Sequence, residues 1–311
     1  MNTLCGSALY AMPGNETFAE LLSLHAGCQR RQLLLHRFPD GETLVQMAAP
    51  APGGDAAIVC TLDRPDPKLL PLMMAAATAR ELGAARVGLV APYLAYMRQD
   101  MRFHPGEAVS ARIFGDWLGR TFDWLVTVDP HLHRHATLAE VYPHAARVVH
   151  AAAPLAAWID AHVAMPLIIG PDSESAQWVT AVSNLLCAPS VVARKERHGD
   201  REVEIFLPGM DPWRDRTPVL LDDIVASGAT MLQTLRCLRG RTSAAPVCVA
   251  VHGLFAEGVL EGLRAGGAGL VVTSNSVVAD TSQIDISKPV AEAMASLCAN
   301  GTSAAGSVTP A

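Results

Sequence analysis

The sequence lacks the features of membrane-spanning and secreted proteins. No uninterrupted apolar segment is long enough to cross a bilayer, and the N-terminus has no basic stretch followed by an apolar run. The seven cysteines are scattered and odd in number, and none are in Cys-x-x-Cys spacing. This excludes a disulfide framework or a zinc site and is typical of a reduced compartment. We therefore expect a cytoplasmic protein.

Charged residues are also scarce. Only 17% of the 311 residues are charged, 50% are hydrophobic, and the formal net charge is -6. This balance excludes a disordered chain and argues against binding to nucleic acid or to an anionic membrane. The length is sufficient for two domains with a core each. Any anionic ligand must therefore be bound by local positive sites.

The most informative stretch joins an acidic pair to a loop of small residues. The apolar run Pro218 to Leu221 predicts a buried strand that ends at Asp222 and Asp223, and the loop 226–230 then leads into a helical pattern at 231–238. A loop of this kind directs backbone N–H groups and hydroxyls at an anion, which the helix dipole also favours. The acids can accept hydrogen bonds from sugar hydroxyls. An ordinary βα turn is the alternative, but the paired acids favour a ribose 5-phosphate site.

The chain repeats one pattern of strands and helices. The predicted strands end in charged groups, which are Asp63, Arg98 and Asp129 in the first half and Asp172, Lys195 to Arg197, and Asp222 in the second. Strands separated by helices imply right-handed crossovers and a mainly parallel sheet in each half, and such sheets bind ligands at the carboxyl ends of their strands. We expect an α/β protein with domains at 1–150 and 151–290, followed at 291–311 by a helix end and a mobile tail.

Three other segments have polar groups at turns or loops. Arg37 to Glu42 contains Pro and Gly with one aromatic and two acids, which by itself is also typical of a polar hairpin turn. The segment 92–107 has neither helical nor strand periodicity, and its aromatic, Arg, Gln and Asp content favours a functional loop. The run 194–198, Arg-Lys-Glu-Arg-His, predicts a mobile basic loop, for which a solvated face is the alternative.

Six short segments occur in an order that resembles the ribose-phosphate diphosphokinases, also called phosphoribosyl-diphosphate (PRPP) synthetases. They are Phe38-Pro-Asp-Gly-Glu42, 92–100 (Pro-Tyr-Leu-Ala-Tyr-Met-Arg-Gln-Asp), Asp129-Pro-His131, Pro171-Asp172, Lys195-Glu-Arg197 and the loop 222–230. Type I phosphoribosyltransferases share only the last of these. The segments Phe103-His-Pro-Gly-Glu107 and Val251-His-Gly-Leu-Phe255 are closer to the short archaeal members of the family.

The resemblance implies two phosphoribosyltransferase-like domains, one for ATP and one for ribose 5-phosphate, and transfer of the diphosphoryl group of ATP to the sugar with release of AMP. It assigns ATP binding to Phe38, Asp40, Glu42, Arg98, Gln99 and Asp100. It assigns ribose 5-phosphate binding to Asp222, Asp223, Ala226, Ser227, Gly228, Ala229 and Thr230. Because the 38–42 turn comes from a neighbouring subunit in the family, we expect at least a homodimer.

The resemblance also implies groups that neutralise the reacting phosphates. Lys195 and Arg197 would act on the transferring group, and His131 and Asp172 would hold Mg²⁺ on the ATP phosphates, directly or through water. For His131 the alternative is a partner for a backbone group at a strand end.

The sequence departs from the family pattern at two places. Glu174 lies where many relatives have glycines, which adds negative charge near the diphosphate site, and Ala229 replaces a common glycine, where a left-handed conformation would be strained. Two other functions stay open. One is a catalytically silent relative that regulates or binds a true synthetase. The other is a type I phosphoribosyltransferase, which would leave the segments 38–42 and 98–100 unexplained.

Overall fold

The computed structural model of the chain describes residues 7–132, 134–198 and 202–302, with side chains described for all of these except 195–198, 202–205 and 299–302. Contacts divide the chain into two compact units. The first comprises the residues up to Val149 together with those from Ser287 onward, and the second is His150–Ile286. Within the described ranges, no helix combines the length and apolar character that crossing a bilayer requires.

The strands in chain order are β1 (Ala8–Ala11), β2 (Gln29–Arg30), β3 (Leu33–Arg37), β4 (Thr43–Met47), β5 (Asp55–Val59), β6 (Arg86–Ala91), β7 (Trp124–Val128), β8 (Ala145–Val149), β9 (Pro166–Gly170), β10 (Ser190–Val192), β11 (Arg194–His198), β12 (Glu202–Phe206), β13 (Thr217–Val225), β14 (Val247–Gly253), β15 (Leu270–Ser274) and β16 (Ser282–Ile284). The helices are α1 (Glu16–Ala26), α2 (Asp66–Glu81), α3 (Ser110–Thr121), α4 (Ala152–His162), α5 (Ala176–Leu186), α6 (Ala229–Leu238), α7 (Val259–Ala265) and α8 (Ser287–Thr302). Short 3₁₀ turns lie at Leu138–Glu140 and Asp211–Trp213.

The first unit is built on a parallel sheet with the order β2-β1-β5-β6-β7-β8. Every residue of β5 and β7 is buried, as expected for central strands covered by helices on both faces. The antiparallel hairpin β3–β4 lies outside this sheet and packs against α2 through β4.

Helix α8 returns to the first unit from the end of the chain. Its residues Val290, Met294 and Leu297 are buried at helical spacing, and the helix packs on α1, β7 and β8. Arg86 at the start of β6 secures this contact. Its Nε donates to Asp55 Oδ1 at 3.0 Å, and its Nη2 donates to the carbonyl oxygens of Leu297 and Cys298.

We expect Arg86→Met to lower the free energy of unfolding by about 2 kcal/mol, because it leaves a mostly buried carboxylate without its partner. The side chain of Asp55 is 10% exposed and that of Arg86 is 30% exposed. Urea denaturation measures the change. The matched control is Arg214→Met, which breaks a pair with Asp211 whose members are 65% and 70% exposed, and which should change stability by less than about 1 kcal/mol. Equal losses in the two variants would contradict this role of Arg86.

The second unit repeats the architecture with a parallel sheet of order β10-β9-β13-β14-β15-β16. A buried apolar cluster includes Leu167, Leu220 and Cys248 from the strands, with Leu235 of α6 and Leu263 of α7. Two parallel sheets flanked by helices, one in each unit, confirm the predicted α/β fold class.

The structure differs locally from the predictions in three places, one of which is the start of α6 at Ala229, two residues before the predicted position. Strand β13 does not end at Leu221 but continues to Val225, because Asp222, Ile224 and Val225 stay in register with β14. The predicted basic loop at 194–198 is instead strand β11, which pairs antiparallel with β12. Part of the predicted mobile tail, residues 303–311, lies outside the described residues.

Candidate functional site

Strained backbone marks the carboxyl edge of the first sheet. Arg64, Tyr96 and Asp129 have positive φ values of 50, 63 and 33°, and each follows the end of one of the strands β5, β6 and β7. A left-handed conformation costs a non-glycine residue about 1–2 kcal/mol. Such strain concentrates at functional sites, where it orients particular groups. The edge therefore fits a ligand site, as expected for an open parallel sheet.

The hairpin turn between β3 and β4 presents an aromatic ring to solvent. Phe38 is 39% exposed, and its ring meets His36 edge-on with 4.8 Å between centroids. The turn is closed by the N–H of Phe38, which donates to the carbonyl oxygen of Glu42 at 2.8 Å. Asp40 Oδ1 accepts from the N–H of Glu42 at 3.0 Å. This ordered turn can offer one ring face and two carboxylates to a ligand.

The three candidate residues in the segment after β6 differ in their exposure to solvent. Arg98 is exposed, Gln99 is half-buried, and Asp100 is buried. The carboxylate of Asp100 accepts a hydrogen bond from Arg134 Nη1 at 2.7 Å. The guanidinium of Arg98 is thus open to an anion, whereas Asp100 is held within the protein.

The loop that follows is organised by Glu107. Its Oε2 accepts hydrogen bonds from the N–H groups of Phe103 at 2.8 Å and His104 at 3.0 Å, and its Oε1 lies 2.7 Å from His104 Nδ1. The His104 ring, together with these N–H groups, lowers the pKa of Glu107. Arg102 Nε donates to the carbonyl oxygen of Glu107 at 2.9 Å. These contacts give the long loop a definite shape.

His131 lies two residues beyond the buried Asp129, in the segment after β7, and it is half-buried. Arg134 in the same segment was not identified from the sequence as a site residue. The only local signal was its position close to His131. Asp63, in the segment that follows β5, forms an ion pair with Lys68 of α2.

In the second unit, three carboxyl groups lie close enough to affect one another. Asp222 is on β13, and its Oδ1 accepts from the N–H of Asp223 at 3.0 Å. Burial raises the pKa of Asp222, the neighbouring acids Asp223 and Asp172 raise it further, and together they bring it to about 8. Three carboxyl groups this close together favour a bound cation or a donor hydroxyl group.

Asp172 is fixed by the turn that begins α5. Its Oδ1 accepts from the N–H groups of Glu174 at 3.1 Å and Ser175 at 3.4 Å, and Ser175 Oγ donates to the Asp172 carbonyl oxygen at 2.7 Å. Glu174 itself is exposed. The departure from the usual glycines therefore produces a regular turn and leaves the Glu174 side chain at the surface.

The loop between β13 and α6 has the geometry of an anion site. Gly228 has a φ of 66° and precedes the first helical residue, Ala229, so the N–H groups of the first helical turn have no acceptor within the helix. Ser227 is exposed and Thr230 is half-buried. The left-handed position is Gly228, and Ala229 has helical conformation. The substitution of Ala229 for glycine therefore causes no strain.

Lys195 and Arg197 lie on β11, where their backbones pair with Ile205 and Val203 of β12. The side chains of Lys195 and Arg197 are outside the part of the chain that the structure describes. Among the residues whose side chains are described, no group of three or more His, Cys, Asp or Glu could hold a metal ion by itself.

Comparisons with known proteins match both units. A family model of the N-terminal domain of ribose phosphate pyrophosphokinase matches residues 7–121, and a phosphoribosyl transferase domain matches residues 140–264. The ribose-phosphate pyrophosphokinase of Methanopyrus kandleri is 32% identical over 264 residues, which cover 84% of this chain and 89% of that protein. The ribose-phosphate pyrophosphokinase of Saccharolobus solfataricus is 30% identical over 262 residues, which cover 82% of this chain and 88% of that protein.

A solved structure has the same fold over nearly the whole chain. The phosphoribosylpyrophosphate synthetase from Mycobacterium smegmatis superposes with a TM-score of 0.78 at 20% identity, covering 96% of this chain and 99% of that one. At this identity the likeness shows the arrangement of the backbone. The two curated relatives above are archaeal, in agreement with the resemblance of 103–107 and 251–255 to archaeal members.

Proposed function

The chain belongs to the ribose-phosphate pyrophosphokinase family, and from this we propose that it transfers the diphosphoryl group of ATP to the 1-hydroxyl of ribose 5-phosphate, forming PRPP and AMP. The main support is that ribose-phosphate pyrophosphokinases align with both units of the chain. A type I phosphoribosyltransferase needs only the acid pair and loop of the second unit. It would leave the hairpin turn and Arg98 without a role.

We assign ATP to the first unit. The ring of Phe38 would stack on adenine, with Asp40 and Glu42 accepting hydrogen bonds from the adenine amino group or the ribose. Arg98 is an exposed cation in the segment after β6, and its planar guanidinium suits phosphate oxygens. Gln99 would add an amide donor.

We assign ribose 5-phosphate to the second unit. Asp222 and Asp223 would accept hydrogen bonds from sugar hydroxyls. The 5-phosphate would bind at the segment 226–230, where the first N–H groups of α6 and the hydroxyls of Ser227 and Thr230 act as donors. The helix dipole adds to this attraction.

In the reaction, the 1-hydroxyl oxygen attacks the β-phosphorus of ATP, and the bond from that phosphorus to the α,β-bridging oxygen breaks. AMP leaves, and the hydroxyl proton is lost. Both substrates are anionic, so catalysis depends on positioning and on fixed positive charge. We assign Lys195 and Arg197 to neutralising the transferring group.

Mg²⁺ fits the proposed site because the substrates and the carboxyl groups of Asp172, Asp222 and Asp223 concentrate negative charge. A bound Mg²⁺ would reduce repulsion between the phosphates and the attacking hydroxyl. This ion retains several waters and takes few protein ligands, so we assign His131 and Asp172 each as a ligand that acts directly or through water.

We also propose a homo-oligomer, with the 38–42 turn supplied by a neighbouring copy. An apolar groove of about 540 Å³ lies between α2 and α3 in the first unit, lined in part by Leu70, Met73, Ile113 and Trp117. Leu70 is 56% exposed and Ile113 is 60% exposed. Exposed apolar surface of this kind supports contact with another protein surface.

The expected result is that the protein, incubated with ATP, Mg²⁺ and ribose 5-phosphate, releases AMP and forms PRPP in equal amounts. Chromatography of the nucleotides measures the AMP, and omission of ribose 5-phosphate is the control. Binding of nucleotide without AMP release would instead favour the catalytically silent relative. Turnover of PRPP with a nucleobase, without ATP, would favour a phosphoribosyltransferase.

A further inference from the structure

Arg134 contacts the segment 98–107 at two points. Its Nη1 donates to Asp100 Oδ1 at 2.7 Å, and its guanidinium carbon lies 5.5 Å from the centroid of the Phe103 ring. Arg134 itself belongs to the segment after β7, three residues beyond His131. One side chain therefore joins the loop that follows β6 to the loop that follows β7.

The ion pair is asymmetric in its exposure. The side chain of Asp100 is 2% exposed, whereas that of Arg134 is 52% exposed. A carboxylate this deeply buried must have a partner, because burying an unpaired charge is strongly unfavourable. Arg134 provides that partner, and its loss would drive the Asp100 carboxylate towards water. That movement would alter the backbone next to Arg98.

The rest of the 98–107 segment is held together internally by Glu107. Gln99 Nε2 lies 3.4 Å from Glu107 Oε2, and the N–H groups of Phe103 and His104 donate to the same oxygen. The loop can therefore move as one piece. An anchor at two of its residues sets the position of the whole loop.

We propose that Arg134 is a positioning residue for nucleotide binding, which fixes the 98–107 loop against the segment that carries His131. Arg98 and His131 then keep one relative position before ATP binds, so binding loses less conformational entropy. Asp100 acts in this arrangement as the acceptor for Arg134 and affects ATP indirectly. This inference rests on the proposed function, in which the first unit binds ATP.

The kinetic test uses Arg134→Ala, Arg134→Lys and Asp100→Asn. We expect Arg134→Ala to raise KM for ATP by about tenfold to a hundredfold, the range that displacement of a positioned group produces, with KM for ribose 5-phosphate unchanged. Arg134→Lys keeps the charge but loses the planar guanidinium, so it should fall between the wild type and the alanine variant. The double variant with Asp100→Asn should lose little beyond Arg134→Ala.

A second measurement does not depend on activity. Hydrogen exchange of the amides in 98–107 should be at least about tenfold faster in Arg134→Ala than in the wild type, with exchange elsewhere unchanged. Arg214→Ala is the control, since it removes an exposed arginine in the second unit whose partner, Asp211, is also exposed, and it should change neither measurement. If Arg134→Ala does not fold, Asp100→Asn and Arg134→Lys support the same comparison.

The outcomes separate the two proposals. Unchanged exchange at 98–107, or an equal rise of KM for both substrates, would overturn the positioning role of Arg134. A wild-type protein that releases no AMP would overturn the proposed function, and the exchange measurement would still decide whether Arg134 anchors the loop.

Discussion

Replacement of Lys195 by alanine is expected to lower kcat by about three orders of magnitude, while the Kd for ATP changes only a few-fold. The physical reason is that the charge on the transferring diphosphoryl group changes as the transition state forms. A cation that meets the transferring group mainly in the transition state contributes to turnover and adds little to ground-state binding. Steady-state AMP release gives kcat, and calorimetric titration with a non-hydrolysable ATP analogue gives the affinity.

The matched control is Lys288→Ala. The chain has three lysines, and Lys288 is exposed on α8 in the first unit, where the proposed chemistry does not require it. Its removal should leave kcat unchanged. If Lys195→Ala instead lowered activity only in proportion to a loss of folded protein, Lys195 would be a structural residue and the proposed role would fail.

Replacement of Gly228 by alanine is expected to raise KM for ribose 5-phosphate by about a hundredfold, which corresponds to about 3 kcal/mol of lost binding. Gly228 has a φ of 66°, and an added Cβ would lie 2.7 Å from Val259 Cγ1. Either the loop or the Val259 side chain must therefore shift, and the left-handed φ strains the loop in addition. A shift of the loop moves the N–H groups that are proposed to hold the phosphate. KM for ATP should change much less, because the alteration lies in the second unit.

Two further variants separate the effect of backbone strain from the effect of the contact with Val259. Gly240 has a φ of 72° with no atom within 4 Å of an added Cβ, so Gly240→Ala introduces the same backbone strain away from the loop. It should cost about 1 kcal/mol of stability and leave KM unchanged. Adding Val259→Ala to Gly228→Ala removes the colliding methyl group and should restore part of the affinity. A Gly228→Ala protein with normal KM for ribose 5-phosphate would exclude this loop as the phosphate site.

Local patterns were sufficient to predict the fold class and the candidate segments. The alternation of strands and helices predicted two parallel sheets, which the structure confirms. Pro and Gly predicted the turn at 38–42, where the structure has a hairpin. The small residues at 226–230 predicted a loop before a helix from 231, and the structure has this order with a shorter loop, because the helix begins at Ala229. The individual functional roles of the site residues stay predictions that the variants above test.

Other features depended on partners far away in sequence. The sequence predicted that β13 would stop at the acids, but pairing with β14 carries it on to Val225. Helix α8 joins the first unit because its buried face packs on α1 and β8. Asp100 was assigned to ATP, and the structure pairs it with Arg134, 34 residues later in the chain.

The sequence by itself determined the periodicity of the elements, the turn chemistry and the order of the charged segments, because these depend on neighbouring residues along the chain. The tertiary structure alone decided which buried charge finds which partner, which glycine adopts the left-handed conformation, and which unit the last helix completes. Those outcomes depend on which surfaces meet when apolar faces are buried, and they cannot be predicted from neighbouring residues along the chain.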